Sequence, residues 1–238
     1  MIKLSYSTLN DVYQFPHSWL NKVMGAKKPD LEVFKEGKKV HRLVQDHLCG
    51  ESISEVVAQY ITQEFSIVEQ KEFDERCKLV KAFDSTGMLE DVCVCEFPRE
   101  VNGVCTKCKK PTPPYLFRGY FDGYNPETQT ILEIKTGRKE LWTLGRYKDS
   151  IQRKIYSLLL PEAKATYLFT ALQNVELWDR VKPKTMTMEI KEKDKQEALK
   201  WILDGIKLIE EGDFTKDLNE DGKCTHFMCP YGENCLFK

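Results

Sequence analysis

The sequence predicts an α/β (α+β) fold, helical at its start, strand-rich in its middle and closed by a long helix. Three observations predict it. Apolar residues recur at three- and four-residue spacing over much of positions 1–90, aromatic and β-branched runs broken by turn residues follow from Leu116, and a last apolar stripe runs from Glu192 to Glu211.

In order, Ser7 is expected to cap a short helix through Phe15, Pro16 to restart the chain, and Asp30 to open a longer helix ending near Gly50. Within that helix Val33, Gly37, His41, Val44 and Leu48 share one face, so His41 points inward. Gly37, one turn before His41, costs about 1 kcal/mol against Ala and is easier to explain if something approaches closely. A second helix carries Phe73, Cys77, Val80 and Phe83 on one side and stops at Gly87. Leu116 to Tyr124 and Thr130 to Thr136 read as strands joined by the turn chemistry of residues 125–129, which makes a β-hairpin. Asp149 to Leu160 returns to helical spacing; Tyr167–Leu172, Val175–Val181 and Thr185–Ile190 read as strands. The last helix buries Leu199, Ile202, Ile206 and Ile209, and the acidic stretch beyond it, Glu210 to Asp221, is a solvated connection.

Composition narrows the function classes. With 238 residues, 41% hydrophobic and 31% charged, the chain is neither collagen, nor coiled coil, nor wholesale disordered. A formal charge of −1 excludes gripping polyanions by bulk basicity, so nucleic acid would need a local patch. No apolar run approaches the ~20 residues of a membrane span, and Met1 to Tyr6 lacks the apolar core of a secretory signal, so no membrane partner and a cytoplasmic location are expected. Nine cysteines in a reducing compartment are thiols or metal ligands rather than disulfides.

The hairpin concentrates chemistry. With its turn centred between Glu127 and Thr128, Asp122 and Glu133 become cross-strand partners, and Lys135 projects to the face of Glu133 because side chains alternate along a strand. Buried like charges repel unless something neutralises them, and a divalent cation does so directly. Hard oxygen ligands suit Mg²⁺ or Mn²⁺.

These residues and their neighbours resemble the PD-(D/E)XK nuclease superfamily, in its RecB-like branch related to the CRISPR-adaptation iron-sulfur nucleases. The resemblance lies in ordered pieces spanning residues 4–156: Leu4-Ser5-Tyr6-Ser7-Thr8-Leu9, Gly37-Lys38-Lys39-Val40-His41, Gly119-Tyr120-Phe121-Asp122, Glu133-Ile134-Lys135-Thr136-Gly137 and Gln152-Arg153-Lys154-Ile155-Tyr156. It implies a restriction-endonuclease-like mixed β-sheet core flanked by helices. It implies that His41, Asp122, Glu133 and the carbonyl of Ile134 hold a catalytic Mg²⁺ or Mn²⁺, and that Lys135 orients or polarises the attacking water beside Asp122 and Glu133. Gln152 and Tyr156 would line a groove for DNA with single-stranded ends or regions. Read from the residues alone, Gln152 equally completes a capping box with Asp149, and Tyr156 equally packs on the sheet.

Around the hairpin, Arg118, Arg138 and Arg153, with Lys139, Arg146, Lys148 and Lys154, form the local basic patch expected to follow phosphates; its plain alternative is a solvated surface. The expected activity is a metal-dependent deoxyribonuclease, of repair, phage or CRISPR-linked origin, in the host cytoplasm if phage-encoded. Two alternatives stand: a catalytically inactive nucleic-acid-binding or protein-interaction module on the same fold, and a nuclease acting on RNA.

Cys93-x-Cys95 and Cys105-x-x-Cys108 flank the tight-turn signal Asn102-Gly103 and suit a closed structural Zn²⁺ site. At the C-terminus, Cys224, His226, Cys229 and Cys235 offer a second set of zinc ligands. The cluster-bearing relatives hold a 4Fe-4S cluster there with C-x2-C-x5-C and an N-terminal cysteine. This chain has His226 in the first place and Phe15 where that cysteine would be, so zinc and a cluster with another ligand both remain open. Cys49 and Cys77 are expected as buried small hydrophobes. The expected organisation is one domain, 1–238, comprising a helical part (1–90), a cysteine-rich insertion (93–114), a core (115–190) and a C-terminal helix with a cysteine clasp (191–238).

Overall fold

A β-strand, not a helix, begins the chain. The computed structural model describes residues 1–27, 32–48, 54–61, 78–95, 98–138, 144–212, 214, 231 and 236. Strand β1 (Ile2–Ser5) leads into α1 (Tyr6–Gln14), α2 (Pro16–Val23), α3 (Glu32–Leu48) and the short α4 (Glu55–Ala58). Strands β2 (Lys78–Phe83), β3 (Met88–Leu89), β4 (Glu100–Val101), β5 (Val104–Cys105), β6 (Tyr115–Tyr120), β7 (Gly123–Asn125) and β8 (Thr130–Gly137) follow. Helices α5 (Leu144–Lys148) and α6 (Ile151–Leu159), strands β9 (Ala165–Leu172) and β10 (Lys184–Glu189), and α7 (Glu192–Glu211) complete it. No described helix is long and apolar enough to cross a membrane.

The chain divides into two compact units, one of residues 1–30, 80–118 and 199–238, the other of 31–79 and 119–198. In the first, a sheet runs in the order β1-β6-β2-β3, with β1 parallel to β6. Ser5 rather than Ser7 caps α1, accepting the Thr8 N–H at 3.3 Å, because β1 runs directly into the helix. The Tyr13 ring lies tilted against Trp201, 5.0 Å between centroids, and its hydroxyl donates to the Trp201 carbonyl, so α1 and the later part of α7 pack as a pair.

Helix was expected through Val80 and Phe83. Residues 62–77 lie outside the described residues, as does Cys77, and Lys78–Phe83 is a strand paired with β3. Asp84 closes that hairpin by accepting N–H groups of Thr86 and Gly87 at 2.8 and 3.0 Å, so Asp84 to Gly87 is turn chemistry rather than a helix end.

The second unit is built on a sheet ordered β10-β9-β8-β7, with β8 parallel to β9 and its other pairs antiparallel. The parallel pair follows from the α5–α6 crossover between β8 and β9. One sheet face, carrying Leu132, Ile134 and Phe169, packs on Val40 and Val44 of α3 with Trp178 in the same cluster. The expected strand 175–181 is instead a 3₁₀ turn at Val175–Leu177, opened by Asn174, whose side chain accepts the Glu176 N–H at 3.0 Å. Gly37 has its reason here: a Cβ would lie 3.2 Å from Thr136 Oγ1 and 3.3 Å from Gln173 Nε2, so what approaches closely is the C-terminal end of β8 and the residue after β9.

Candidate active site

The expected strand Leu116–Tyr124 breaks at Phe121 and Asp122, leaving β6 before the break and β7 after it. Asn125 pairs with Thr130 and Gly123 with Leu132, which centres the turn where the sequence placed it. Asn125 Oδ1 accepts the N–H groups of Glu127 and Thr128 at 2.9 and 3.1 Å, fixing that register. Asp122 N–H then donates to the Leu132 carbonyl at 3.2 Å, so Asp122 and Glu133 occupy the next opposed position.

Asp122 is held on both sides. One oxygen accepts the Ile134 N–H at 2.7 Å and the other meets His41 Nδ1 at 3.0 Å. Gln45, one turn after His41 on α3, donates to the Asp122 carbonyl at 3.4 Å. Glu133, 2% exposed, forms an ion pair with Lys135, whose ammonium also donates to Gln152 Oε1 at 2.8 Å. Gln152 Nε2 donates onward to the Tyr156 hydroxyl at 2.8 Å, and that hydroxyl donates to the Tyr120 carbonyl. The α6 side chains are thereby wired to the hairpin. Ser150, not Asp149, holds the N-cap position of α6, without a side-chain capping bond, so Gln152 does not close a capping box with Asp149; its amide is committed to Lys135 and Tyr156. The Tyr156 ring packs edge-on against Phe121, the plainer of the two readings the sequence offered for it.

The electrostatics show how tightly the charges are gathered. Burial pushes the Glu133 carboxyl up to about 7, with the charge of Lys135 opposing and that of Asp122 adding to the rise. Burial opposes protonation of His41, but its hydrogen bond to Asp122 and the charges of Asp122 and Glu133 outweigh that and raise its pKa above the ordinary value. Glu133 Oε2 is buried and has no hydrogen-bond partner among the described residues. An orphaned carboxylate oxygen beside a second carboxylate, an imidazole and a strand carbonyl is a donor set that fits a hard divalent cation. His41, Asp122 and Glu133 do not bring one ligand atom each within 4.8 Å of one another, and Asp122 is engaged by Ile134 and Glu133 by Lys135.

Tyr147 of α5 completes the surroundings and was not legible in the sequence, where it sits between Arg146 and Lys148 without periodicity. Its ring is fully buried, with the Lys135 ammonium 5.8 Å from the ring centroid, inside the range of a cation–π contact. Burial first, then the charge of Glu133, drives its hydroxyl pKa well above the usual value. Gln45 was missed too, although its place four residues after His41 is the available signal.

The basic patch is only partly as expected. Arg138 is exposed and Arg118 of β6 is half-buried. Arg153 is 4% exposed and paired with Asp194 at 2.9 Å, so it anchors α6 to the start of α7 instead of facing a phosphate. Lys154 is likewise paired with Glu197. A cavity of about 480 Å³ lined by these residues and by Met186 and Met188 contains none of His41, Asp122, Glu133 or Lys135, so it is distinct from the hairpin site.

In the first unit, the sulfur atoms of Cys93, Cys95, Cys105 and Cys108 all lie within 4.8 Å of one another. The turn Asn102-Gly103, both residues at positive φ, folds β4 onto β5 and brings the two cysteine pairs together. The N–H of Cys108 foremost, and that of Lys107, point at Cys105 sulfur and lower its pKa to about 6, whereas burial pushes Cys93 up to about 12. N–H groups aimed at a thiolate, with four sulfurs converging, fit a tetrahedral metal ion. Cys224, His226, Cys229 and Cys235, and Cys49, lie outside the described residues.

The family model of the PD-(D/E)XK nuclease superfamily matches residues 3–236. No curated protein sequence matches the chain. A solved structure from Eubacterium rectale, named a putative exonuclease, is similar over 88% of this chain and 79% of its own, at 12% identity and a TM-score of 0.43. The assignment rests on the family model, which spans nearly the whole sequence and includes the Asp122, Glu133 and Lys135 hairpin: the chain belongs to the PD-(D/E)XK nuclease superfamily.

Proposed function

We propose that the protein is a divalent-metal-dependent deoxyribonuclease of the RecB-like kind, hydrolysing DNA phosphodiester bonds. The observation that carries this reading is the continuous chain of contacts from His41 and Asp122 through the hairpin, and from Glu133 through Lys135 and Gln152 to Tyr156. His41, Asp122, Glu133 and the Ile134 carbonyl would hold Mg²⁺ or Mn²⁺. That ion, when bound, supplies a more acidic water and stabilises charge on the phosphate. Lys135 donates hydrogen bonds toward the attacking water and the phosphate oxygens, and its position is set by Glu133 and Gln152 rather than by solvent. Water oxygen bonds to phosphorus as the bond to the leaving sugar oxygen breaks. The four clustered cysteines would hold a structural Zn²⁺ with no open position for chemistry.

The test is incubation of the purified chain with end-labelled single- and double-stranded DNA in Mg²⁺ or Mn²⁺. Cleavage is expected, abolished by EDTA, restored by Mg²⁺ or Mn²⁺ but not by Zn²⁺ alone, and about 100- to 1000-fold slower in Lys135→Ala. Equal cleavage by that variant refutes the assignment, and DNA binding without cleavage supports an inactive module.

A further inference from the structure

Tyr120 is 56% exposed and is the single aromatic side chain classed as exposed among the described residues. Its place is specific. It ends β6 two residues before Asp122, so along an extended chain it lies within about 7 Å of that carboxylate's backbone. Its carbonyl receives the Tyr156 hydroxyl, which ties its backbone to the Gln152 and Lys135 network. The ring itself is left to solvent while its backbone is fixed.

The α3 helix adds a charge. Lys38, one turn before His41, is exposed and has no partner among the described residues, whereas Lys39 pairs with Glu36 and Arg42 with Asp46. An unengaged ammonium near a hydrogen-bonded imidazole suits a phosphate oxygen.

We propose that Tyr120 is a stacking platform for an unpaired nucleobase of the strand this site accepts. The proposal rests on the nuclease reading above, with the single-stranded DNA expected of it, and adds the residue that receives a base. A rigid tyrosine presents a large flat face at little entropic cost, and every base has a π-face to lay on it. Bases within a duplex are already stacked on their neighbours, and extruding one costs a few kcal/mol of stacking and pairing. The ring therefore favours a strand whose bases are free, with Lys38 holding the backbone phosphate.

The experiment compares wild type, Tyr120→Ala and Tyr120→Phe on a labelled single strand, the corresponding blunt duplex, and single strands with one abasic nucleotide moved along the sequence. Wild type is expected to cleave the single strand faster than the duplex. Tyr120→Ala is expected to raise KM for the single strand about 10-fold, within the range of one lost base–aromatic stack, with Tyr120→Phe restoring it. An abasic nucleotide at one position should impose a similar loss on wild type and none on Tyr120→Ala. Unchanged KM in Tyr120→Ala, or an abasic scan without a sensitive position, overturns the platform. Anisotropy of a fluorescein-labelled single strand in EDTA reads the same contact without cleavage. Tyr120→Ala binding about 10-fold more weakly there, in a protein that cuts nothing, would keep the platform and refute the nuclease reading; equal binding would refute the platform.

Discussion

The cysteine finger and the carboxylate hairpin are both suited to metal, yet they are assembled in opposite ways. In the finger, a two-residue turn and backbone N–H groups bring four sulfurs within 4.8 Å of each other, and none needs a side-chain cation for support. In the hairpin, two carboxylates are kept from repelling each other by an imidazole, an ammonium and a strand N–H. Cys93, pushed up to about 12, stays protonated until metal arrives, and the Cys105 thiolate is stabilised by backbone N–H groups, so their gathering costs little. Buried carboxylates cannot avoid their charge at neutral pH without a proton or a cation. On the proposed reading the finger would be a closed structural element, while the hairpin would wait for an ion and a substrate.

The largest expected effect separates the two centres by metal content. Cys105→Ser is expected to lose the metal measured by mass spectrometry of the purified chain while cleavage stays within about threefold, since a closed thiolate shell offers no catalytic position. A large fall in cleavage would show that the finger serves the reaction. Lys135→Ala is expected to keep the finger's metal and lower kcat about 100- to 1000-fold, in the range of a lost transition-state donor.

A pH difference follows from Glu133. Its folded pKa of about 7 lies above the unfolded 4.5, so the protonated carboxyl favours the fold. In metal-free protein that contribution, up to about 3 kcal/mol, is complete below pH 4.5 and lost as pH rises through about 7. His41, with a raised pKa, acts in the same direction. Chemical denaturation across this range should show stability falling with pH, with Glu133→Gln flattening the fall. Mg²⁺ or Mn²⁺ should restore stability at pH 8 and do little at pH 5. A pH-independent wild type would mean that Glu133 is not desolvated as described.

The smallest effect concerns Tyr147. If its ring face seats the Lys135 ammonium, Tyr147→Leu should lower kcat about 10-fold with KM unchanged, and Tyr147→Phe should stay near wild type. Loss in both variants would assign the effect to the hydroxyl.

Much of this was legible before folding because it depends on short-range rules. Alternation and turn composition placed Asp122 opposite Glu133 and Lys135 beside it, and a run of helical spacing gave α7 its observed bounds. Elsewhere spacing misled: the three-residue interval from Val80 to Phe83 is compatible with a helix, but Asp84 and Gly87 close a hairpin against β3. Arg153 read as surface because charge is usually solvated; only Asp194, forty-one residues on, shows it as an internal anchor.

Residue order thus decided which groups are carried on one strand or one helix turn, since covalent geometry sets those distances. Tertiary packing decided what they meet. It brought His41 to Asp122 across 81 positions, placed Tyr147 under Lys135 and buried Glu133, because desolvation and charge pairing arise only when distant segments close on one another.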